Sequence, residues 1–355
     1  MTMTTILRPE HPRPDRLRKN WITLNGPWRF AFDEKNAGKK EKWYLKKEYP
    51  LEIQVPFAYQ AELSGINDQR HCDVVWYERD FAIPDALRSL RRLLHFGAVD
   101  YRADVWLDGQ YLGGHEGGYT PFTFDITDLT EGQDACRLTV RCEDRLDFEQ
   151  PRGKQSYRPE PFACWYTPVT GIWQSVWLEG VGEYYPVNFR LTPHIETSSV
   201  KAEVELNELP KNGAVCLTAS YEGNTVACQE IRVTTDRLIQ TELYLSHNEW
   251  LEGIHMWRPG NPALYDLKIE TILDGAVCDS VDTYFGMRKV GVQNGYVTLN
   301  QDACYQRLIL DQGYWPDGLL TPPSDEAMAH DISTLKKCGF NMMRKHIKVE
   351  PRRYY

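Results

Sequence analysis

The chain has 355 residues, of which 42% are hydrophobic, enough for two or three domains with ordinary cores. Lys and Arg number 41 and Asp and Glu number 50, so the net charge is −9, and no basic block is present. These charges disfavour a nucleic-acid or anionic-membrane partner and fit a neutral polar ligand better. No apolar run reaches the length of a transmembrane helix, and the first residues lack the hydrophobic region of a signal peptide. We therefore expect a soluble, cytoplasmic protein.

The nine cysteines are an odd number and are scattered, without the paired CxxC spacing of a zinc site. This pattern predicts reduced thiols, as in a cytosol, rather than a disulfide framework. We expect neither a metal ion nor a cofactor.

The first part of the chain has the pattern of a β-sandwich. Residues 1–20 are rich in Pro and Arg and should form an irregular arm. The first strand is predicted at 28–32, after the turn-like Asn25-Gly26-Pro27, and another alternating strand at 75–81. Short strands separated by Gly and Pro indicate an all-β sandwich.

Residues 93–127 contain the clearest local signal, a strand followed by a tight turn. Ala103, Val105 and Leu107 alternate with Arg102, Asp104 and Trp106, and Asp108-Gly109 follows directly, which predicts a hairpin with a type I′ turn. In that hairpin Val105 and Leu112 should pair on the core face.

A strand at 136–141 is followed by a long polar segment, 143–162, with no periodicity. Loops of this length in a compact domain are usually functional or mobile. The next strand, 172–178, carries Trp173 and Trp177, which we expect to pack in the core, with sugar contact as the alternative.

The second part of the chain, from about 187 to 287, again has the pattern of short strands. Their length and spacing suit an immunoglobulin-like sandwich. The predicted strands are 200–206, 214–221, 230–234, 241–245 and 265–273.

The last segment changes to a strand–helix–strand pattern. An apolar strand at 306–310 precedes a helix over Asp325–Lys337, for which Ser324 is the predicted N-cap. Gly339 is placed to end the helix, and 340–344 then has the pattern of a second strand. We interpret this segment as one βαβ unit.

Several of these stretches resemble sequence signatures of glycoside hydrolase family 2, which includes β-galactosidases, β-glucuronidases and β-mannosidases. The matching stretches are 24–30, 97–109 with 115–122, 171–178, 257–265 and 285–289. Residues 24–30 match the L-N-G-x-W-x-F signature that opens the first domain of the family, and residues 171–178 match the G-I-W-Q-x-V-W-L signature that closes it.

The resemblance implies three parts and a ligand class. These are a jelly-roll sugar-binding domain (1–183), an immunoglobulin-like sandwich (184–289) and the first βαβ unit of an incomplete (β/α)₈ barrel (290–355). It implies a retaining exo-β-glycosidase acting on a β-linked sugar or oligosaccharide, and it leaves a homo-oligomer open.

The catalytic residues themselves are not expected in this chain. A retaining glycosidase needs two carboxylates roughly 5–5.5 Å apart, and in the family one is a Glu directly after Asn on a later barrel strand. Asn207-Glu208 and Asn248-Glu249 both precede any barrel strand, so we interpret them as solvated surface. A barrel needs about 250 residues, so 290–355 can supply only two of its eight strands. The chain is thus predicted to be the N-terminal portion of an enzyme and inactive alone, with a stand-alone carbohydrate-binding or scaffold protein as the alternative.

The candidate substrate-binding residues follow the two barrel strands or lie in the loop before residue 172, where the family places sugar contacts. A structural hydrogen bond or packing is the alternative for each. They are Asp311, Tyr314, Trp315, Arg344, His346, Lys348, Glu350, Trp165 and Tyr166. Because an isolated βαβ unit exposes apolar surface, residues from about 290 onward should pack on the sandwiches, self-associate or be poorly ordered.

Overall fold

The computed structural model describes residues 6–46, 48–246 and 253–355, and the chain divides into two compact units. The first unit comprises the residues up to Pro12, Asn20–Gly180 and Leu308–Tyr355, and the second comprises Arg13–Lys19 and Val181–Arg307. Within the described ranges no helix is long and apolar enough to cross a bilayer. The domain limits predicted at residues 183 and 289 stay predictions.

The first unit is built mainly from twelve strands and two short helices. The strands are β1 (Trp21–Thr23), β2 (Gly26–Phe32), β3 (Leu51–Val55), β4 (Val74–Ala82), β5 (Arg91–Phe96), β6 (Val99–Asp100), β7 (Arg102–Leu107), β8 (Gln110–Glu116), β9 (Phe122–Asp125), β10 (Ala135–Glu143), β11 (Gly171–Ile172) and β12 (Val176–Val181). The helices are α1 (Trp43–Lys46) and α2 (Asp85–Arg88).

These strands form a sandwich of two main sheets. One has the order β3-β2-β4-β10-β7-β8 and the other β1-β12-β5-β9, while β11 pairs with β6. Alternate residues of both sheets point into a shared core, to which Phe30 and Val140 contribute from one sheet and Phe96 and Leu178 from the other. The predicted β-sandwich is therefore confirmed.

The hairpin of β7 and β8 forms as predicted, but one detail of its register is wrong. Asp108 and Gly109 have φ of 48° and 81°, which suits a type I′ turn. A bulge between Val105 and Trp106 shifts the pairing, so Val105 faces Gly113 and not Leu112. Gly113 adopts φ 151°, and a Cβ there would approach the ring of Phe124 to 2.8 Å.

The second unit also contains a sandwich, with a three-stranded and a four-stranded sheet. Its strands are β13 (Pro186–His194), β14 (Ser199–Leu206), β15 (Gly213–Tyr221), β16 (Asn224–Val233), β17 (Leu238–Tyr244), β18 (Trp257–Arg258), β19 (Asn261–Pro262), β20 (Tyr265–Leu273), β21 (Ala276–Phe285), β22 (Val290–Gln293), β23 (Tyr296–Leu299) and β24 (Asp302–Ala303). The sheet orders are β13-β14-β17 and β16-β15-β20-β21, with the smaller sheets β18-β19 and β22-β23-β24 beside them.

Seven strands divided three and four are the arrangement expected of an immunoglobulin-like sandwich. All five predicted strands are present, while β13 and β21 were not predicted. Glu208 is exposed, and the side chain of Asn207 accepts from the backbone of Tyr185 at 2.9 Å. Asn248-Glu249 lies outside the described residues.

The last segment forms the predicted strand–helix–strand unit. Its elements are β25 (Leu308–Asp311), α3 (Asp325–Lys337) and β26 (Met342–Lys345), and the two strands are parallel. The hydroxyl of Ser324 accepts from the backbone N–H of Ala327 at 3.1 Å, so it caps the helix as predicted. Gly339 has φ 89° and follows the end of the helix.

This segment packs against the first sandwich, which is one of the three outcomes predicted for it. Thr321 donates from its hydroxyl to the carbonyl oxygens of Trp173, at 2.6 Å, and Pro56, at 3.0 Å. Leu320 is fully buried beside Trp173 and Val169. The loop between β25 and α3 is therefore held on the sandwich by both apolar and polar contacts.

Candidate functional site

Four charged side chains meet where β25 and β26 end. Asp311 and Lys345 are register partners, and the Lys345 Nζ lies 2.6 Å from Asp311 Oδ2 and 2.5 Å from Glu350 Oε1. The Lys348 Nζ lies 2.9 Å from the other oxygen of Glu350. We call Asp311, Lys345, Lys348 and Glu350 the strand-end cluster. Two carboxylates and two ammonium groups give it no net charge.

Lys348 is the buried anchor of this cluster. Its Nζ donates to the carbonyl oxygens of Gly313, at 2.5 Å, and Leu320, at 2.7 Å, and lies 5.7 Å from the ring centre of Trp173. Burial lowers the pKa of Lys348 to about 8, even though Glu350 acts in the opposite direction. Lys348 therefore fixes the loop after β25 more directly than it offers a charge to a ligand.

Asp311 is the partly exposed carboxylate of the cluster. Burial alone would raise its pKa, but the hydrogen bond and charge of Lys345 outweigh burial, so the pKa of Asp311 lies below its ordinary value. The backbone N–H of Gly313 donates to Oδ1 at 2.7 Å, and the Tyr354 hydroxyl to Oδ2 at 3.3 Å. An ionised carboxylate at this position can accept hydrogen bonds from sugar hydroxyls.

Gly313 allows the cluster to close. It adopts φ 69°, and a Cβ there would lie 2.4 Å from Glu350 Oε1 and 2.7 Å from Cδ of Lys348. A side chain at this position would displace the buried ion pair.

An aromatic pair links the cluster to the long loop of the first sandwich. The rings of Tyr166 and Tyr314 stack with centres 4.0 Å apart and planes 13° apart. Tyr166 is 38% exposed, and its backbone pairs with Lys154 and Ser156 at 2.9 and 2.8 Å. Burial raises the pKa of Tyr314 far above its ordinary value, so its hydroxyl stays protonated. The pair offers a flat, partly open surface against which a sugar ring can pack.

A buried polar network holds the loop that carries Tyr166. Gln155 donates to Asp100 Oδ2 at 2.6 Å and accepts from the backbone of Val169 at 2.7 Å. Arg152 donates to Asp144 at 3.0 Å. Burial raises the pKa of Asp100 to about 6, although the Gln155 hydrogen bond acts against this, and burial also raises the pKa of Asp144 well above its usual range. Both acids are thus positioning groups for the loop.

Not every predicted site residue joins the cluster. Trp165 lies near Tyr157 in the loop, with the Lys154 Nζ 4.7 Å from its ring centre. Trp315 pairs through its backbone with Leu319. The site roles of these residues stay predictions.

At the end of β26, Arg344 and His346 were predicted as site residues, whereas Lys345 between them was not. Arg344 is exposed, and His346 donates its backbone N–H to the carbonyl oxygen of Asp311 at 2.8 Å. Lys345, which was not predicted, makes the contact with Asp311. Alternation along β26 was the available signal, because neighbouring strand residues point to opposite faces and only one of Arg344 and Lys345 can face Asp311.

The lowered pKa of Asp311 does not suit the role of the acid in glycoside cleavage. Glycoside hydrolysis with retention needs one carboxyl group protonated as the acid and a second as the nucleophile. Asp311 has a lowered pKa and is therefore not suited to donate a proton, and Glu350 is buried with its two oxygens against the ammonium groups of Lys345 and Lys348. In the described part of the chain, no group of three or more His, Cys, Asp or Glu side chains is placed to hold a metal ion.

Comparisons with known proteins identify the family. The sugar binding domain of glycosyl hydrolases family 2 matches residues 22–178, and a second glycosyl hydrolases family 2 model matches residues 187–288. A β-glucuronidase from Paenibacillus borealis is 24% identical over 82% of this chain and 49% of its own length. A β-galactosidase from Thermoanaerobacter pseudethanolicus is 25% identical over 75% of this chain and 34% of its own length.

A solved structure shares the fold. The β-glucuronidase from Ruminococcus gnavus in complex with D-glucuronic acid superposes with a TM-score of 0.77 at 20% identity, covering 96% of this chain and 58% of that one. The chain thus spans about half or less of the length of the first curated relatives. The two family matches together cover most of the chain and agree with the signatures seen in its sequence, so the chain belongs to glycoside hydrolase family 2.

Proposed function

We propose that the chain supplies the sugar-binding part and the first barrel strands of a retaining exo-β-glycosidase that hydrolyses terminal β-O-glycosidic bonds. The observation that carries this proposal is the stack of Tyr166 on Tyr314, which brings a sandwich loop to the carboxyl ends of two parallel strands. Barrel enzymes bind their ligands at the carboxyl ends of the strands. On this proposal β25, α3 and β26 are the start of a (β/α)₈ barrel.

The proposed ligand is a β-linked sugar or oligosaccharide. The carboxylate of Asp311 accepts and the ammonium of Lys345 donates, while the Tyr166–Tyr314 pair supplies an aromatic surface. This combination suits hydroxyl groups and the apolar face of a sugar ring. Glucuronides, galactosides and mannosides remain the candidate substrates.

The catalytic glutamates are proposed to lie outside these 355 residues. We expect purified 1–355 to leave chromogenic β-glucuronides, β-galactosides and β-mannosides unhydrolysed above the buffer rate. General acid–base catalysis alone is worth roughly 10²–10⁴-fold, and the covalent step would be lost with it. Turnover well above buffer that the Glu249→Gln substitution abolishes would overturn this proposal.

Sugar binding tests the site independently of catalysis. Titration of the protein with methyl β-glycosides and with glucuronate, followed by NMR, should give binding that Asp311→Asn weakens roughly tenfold or more, because a hydrogen bond to a charged group is lost. Asp331→Asn, an exposed carboxylate on α3, is the matched control and should change nothing. Equal affinities of wild type and Asp311→Asn for every sugar would contradict the proposed site.

The alternative function is a carbohydrate-binding or scaffold protein without catalysis. Reading the genomic frame past Tyr355 separates the two. A continuation that contains Asn-Glu on a later strand supports the enzyme, and a stop codon supports the binding protein.

We further propose a cytoplasmic location, with no nucleic-acid or membrane partner, in keeping with the net charge of −9. A homo-oligomer is part of the same proposal, because Leu308, Leu310 and Met342 expose apolar side chains on the two-stranded sheet. Light scattering that compares 1–355 with a protein ending at Lys289 tests it, and self-association of only the longer protein is expected.

A further inference from the structure

The first sandwich has a pocket that the strand-end cluster does not use. It has a volume of about 340 Å³, within the range of small-ligand sites. It lies where the β7–β8 turn, the end of β4, the start of β10 and helix α1 meet. Its lining residues are Tyr44, Leu45, Asp80, Asp108, Gly109, Ala135, Cys136 and Arg137.

This pocket is remote from the loop that carries Tyr166. Arg137 lies near the start of β10, whereas Glu143 ends that strand and is followed by Asp144, which binds Arg152 in the loop network. At roughly 3.3 Å per residue, the length of β10 between Arg137 and Glu143 is about 20 Å. The pocket and the loop network are therefore at opposite ends of one strand.

An aromatic stack fixes one wall of the pocket. The ring of Tyr44 lies parallel to that of Trp106, with centres 4.9 Å apart and planes 3° apart. Trp106 in turn stacks on Trp76 at 5.4 Å. Tyr44 is thus held as a rigid ring, and aromatic rings held in this way bind flat, partly apolar ligands at little entropic cost.

The polar groups of the pocket are only partly used within the protein. Arg137 donates from Nε to Asp80 at 3.0 Å, and its two terminal nitrogens have no hydrogen bond to the described residues. Asp108 accepts from the backbone N–H of Arg137 at 2.8 Å, which leaves acceptor sites on its carboxylate. A guanidinium beside a carboxylate can bind neighbouring hydroxyl groups as donor and acceptor together.

The charge of the lining selects among ligands. Among the described lining residues, two carboxylates, Asp80 and Asp108, outnumber one guanidinium, Arg137. Outside the lining, Arg29 lies 2.8 Å from Asp80 and 2.7 Å from Glu78, so this second guanidinium brings a carboxylate of its own. Negative groups on a ligand are therefore disfavoured. Leu45 and Ala135 add apolar surface beside the ring of Tyr44.

We propose that this pocket is a second carbohydrate site, which binds a neutral pyranose or the neutral end unit of an oligosaccharide. Tyr44 packs against the apolar face of the ring, and Arg137 and Asp108 bind two neighbouring hydroxyls. The site is separate from the strand-end cluster and does not depend on the function proposed for that cluster.

Binding to the whole 355-residue chain tests this proposal in an Asp311→Asn background, which weakens the strand-end contribution. Methyl β-glucoside, methyl β-galactoside and methyl β-mannoside are titrated against sodium glucuronate, with NMR and tryptophan fluorescence as readouts. At least one neutral glycoside should bind, change the tryptophan emission of the protein and shift NMR signals of the residues that line the pocket. Tyr44→Ala and Arg137→Gln should each weaken that binding roughly tenfold.

Two conservative variants keep the test informative. Tyr44→Phe retains the ring and should retain binding, and Tyr111→Ala is the matched control, because Tyr111 also contacts Trp106 but does not line the pocket. No binding of any neutral glycoside, equal binding by Tyr44→Ala, or tighter binding of glucuronate would each overturn the second site. None of these results bears on the strand-end cluster, which the wild-type and Asp311→Asn titrations test.

Discussion

The two units use buried charge very differently. In the first unit, acids and bases such as Asp144 and Arg152, and Lys348 and Glu350, are buried and form ion pairs with one another. In the described residues of the second unit, the buried charged side chains are Arg18 and Asp279, which form one ion pair at 3.0 Å. The other buried side chains of that unit are uncharged and mostly apolar, as in Leu217 and other alternating strand residues.

This difference separates a unit arranged to hold loops from one arranged to be stable. A buried ion pair costs desolvation that its attraction only partly offsets, whereas apolar burial stabilises directly. Buried charges do, however, fix one arrangement of irregular backbone, since each donor needs its acceptor in place. The first unit therefore carries its polar network where a long loop must be positioned beside the candidate site.

The largest expected effect comes from removing the buried ammonium of the cluster. Lys348→Met leaves Glu350 and two carbonyl oxygens without that donor and should destabilise the first unit by about 3–5 kcal/mol. Hydrogen exchange of the loop after β25 measures it. Adding Glu350→Gln to Lys348→Met should restore part of the lost stability. Lys35→Met, at an exposed position, is the control and should change the free energy of unfolding by no more than about 0.5 kcal/mol. A Lys348→Met protein as stable as the wild type would show that the cluster does not hold the loop.

The second unit should respond to lost apolar volume. Leu217 is fully buried in its core, so Leu217→Ala should cost about 2–5 kcal/mol. Hydrogen exchange of β15 and β20 gives the free energy, and the effect should not change between pH 5 and pH 7. Leu238→Ala, at a position 41% exposed, should cost far less. If the loss of stability caused by Leu217→Ala depended on pH, the two units would not differ in the way proposed.

The first unit should instead show a pH dependence from Asp100. Its pKa in the folded protein is about 6 against an ordinary 3.8, so the folded state binds the proton more tightly than the unfolded state does. The free energy of unfolding should therefore increase by about 1–3 kcal/mol as the pH falls from about 6 to about 4. This gain is lost again as the pH rises through about 6. Asp100→Asn, which can still accept from Gln155, should remove this part of the slope.

Amide hydrogen exchange of β7 and β10 across this pH range measures the effect of Asp100 on stability. The exchange of β15, in the second unit, serves as the internal reference. A slope of the same size in the Asp100→Asn variant would assign the effect to another group, such as Asp144.

The smallest expected effect is at the helix cap. Ser324→Ala removes the acceptor for the Ala327 N–H and should destabilise α3 by about 1 kcal/mol. Exchange of the first turn of α3 reports it. Ser333→Ala removes an exposed hydroxyl within the same helix and is the control. Equal exchange in both variants would mean that the cap does not set the start of the helix.

Much of the fold could be predicted from short stretches of sequence. The β7–β8 hairpin followed from alternation and Asp108-Gly109, and α3 from Ser324, its charged ends and Gly339. Each signal depends on residues that are neighbours in the chain. Its physical cause, a turn conformation or a capping bond, therefore acts before any distant contact forms.

The site was predicted less completely, since its geometry depends on pairs that are far apart in the chain. Asp311 and Tyr314 were identified as candidates, but the bulge that moves Val105 opposite Gly113, the Tyr166–Tyr314 stack and the choice of Lys345 over Arg344 were not. Gln155 and Asp100 are 55 residues apart and meet only because the loop closes onto the sandwich. Periodicity determines which face of a strand a side chain takes, while the partner across that face is decided by packing and by the burial of charge in the tertiary structure.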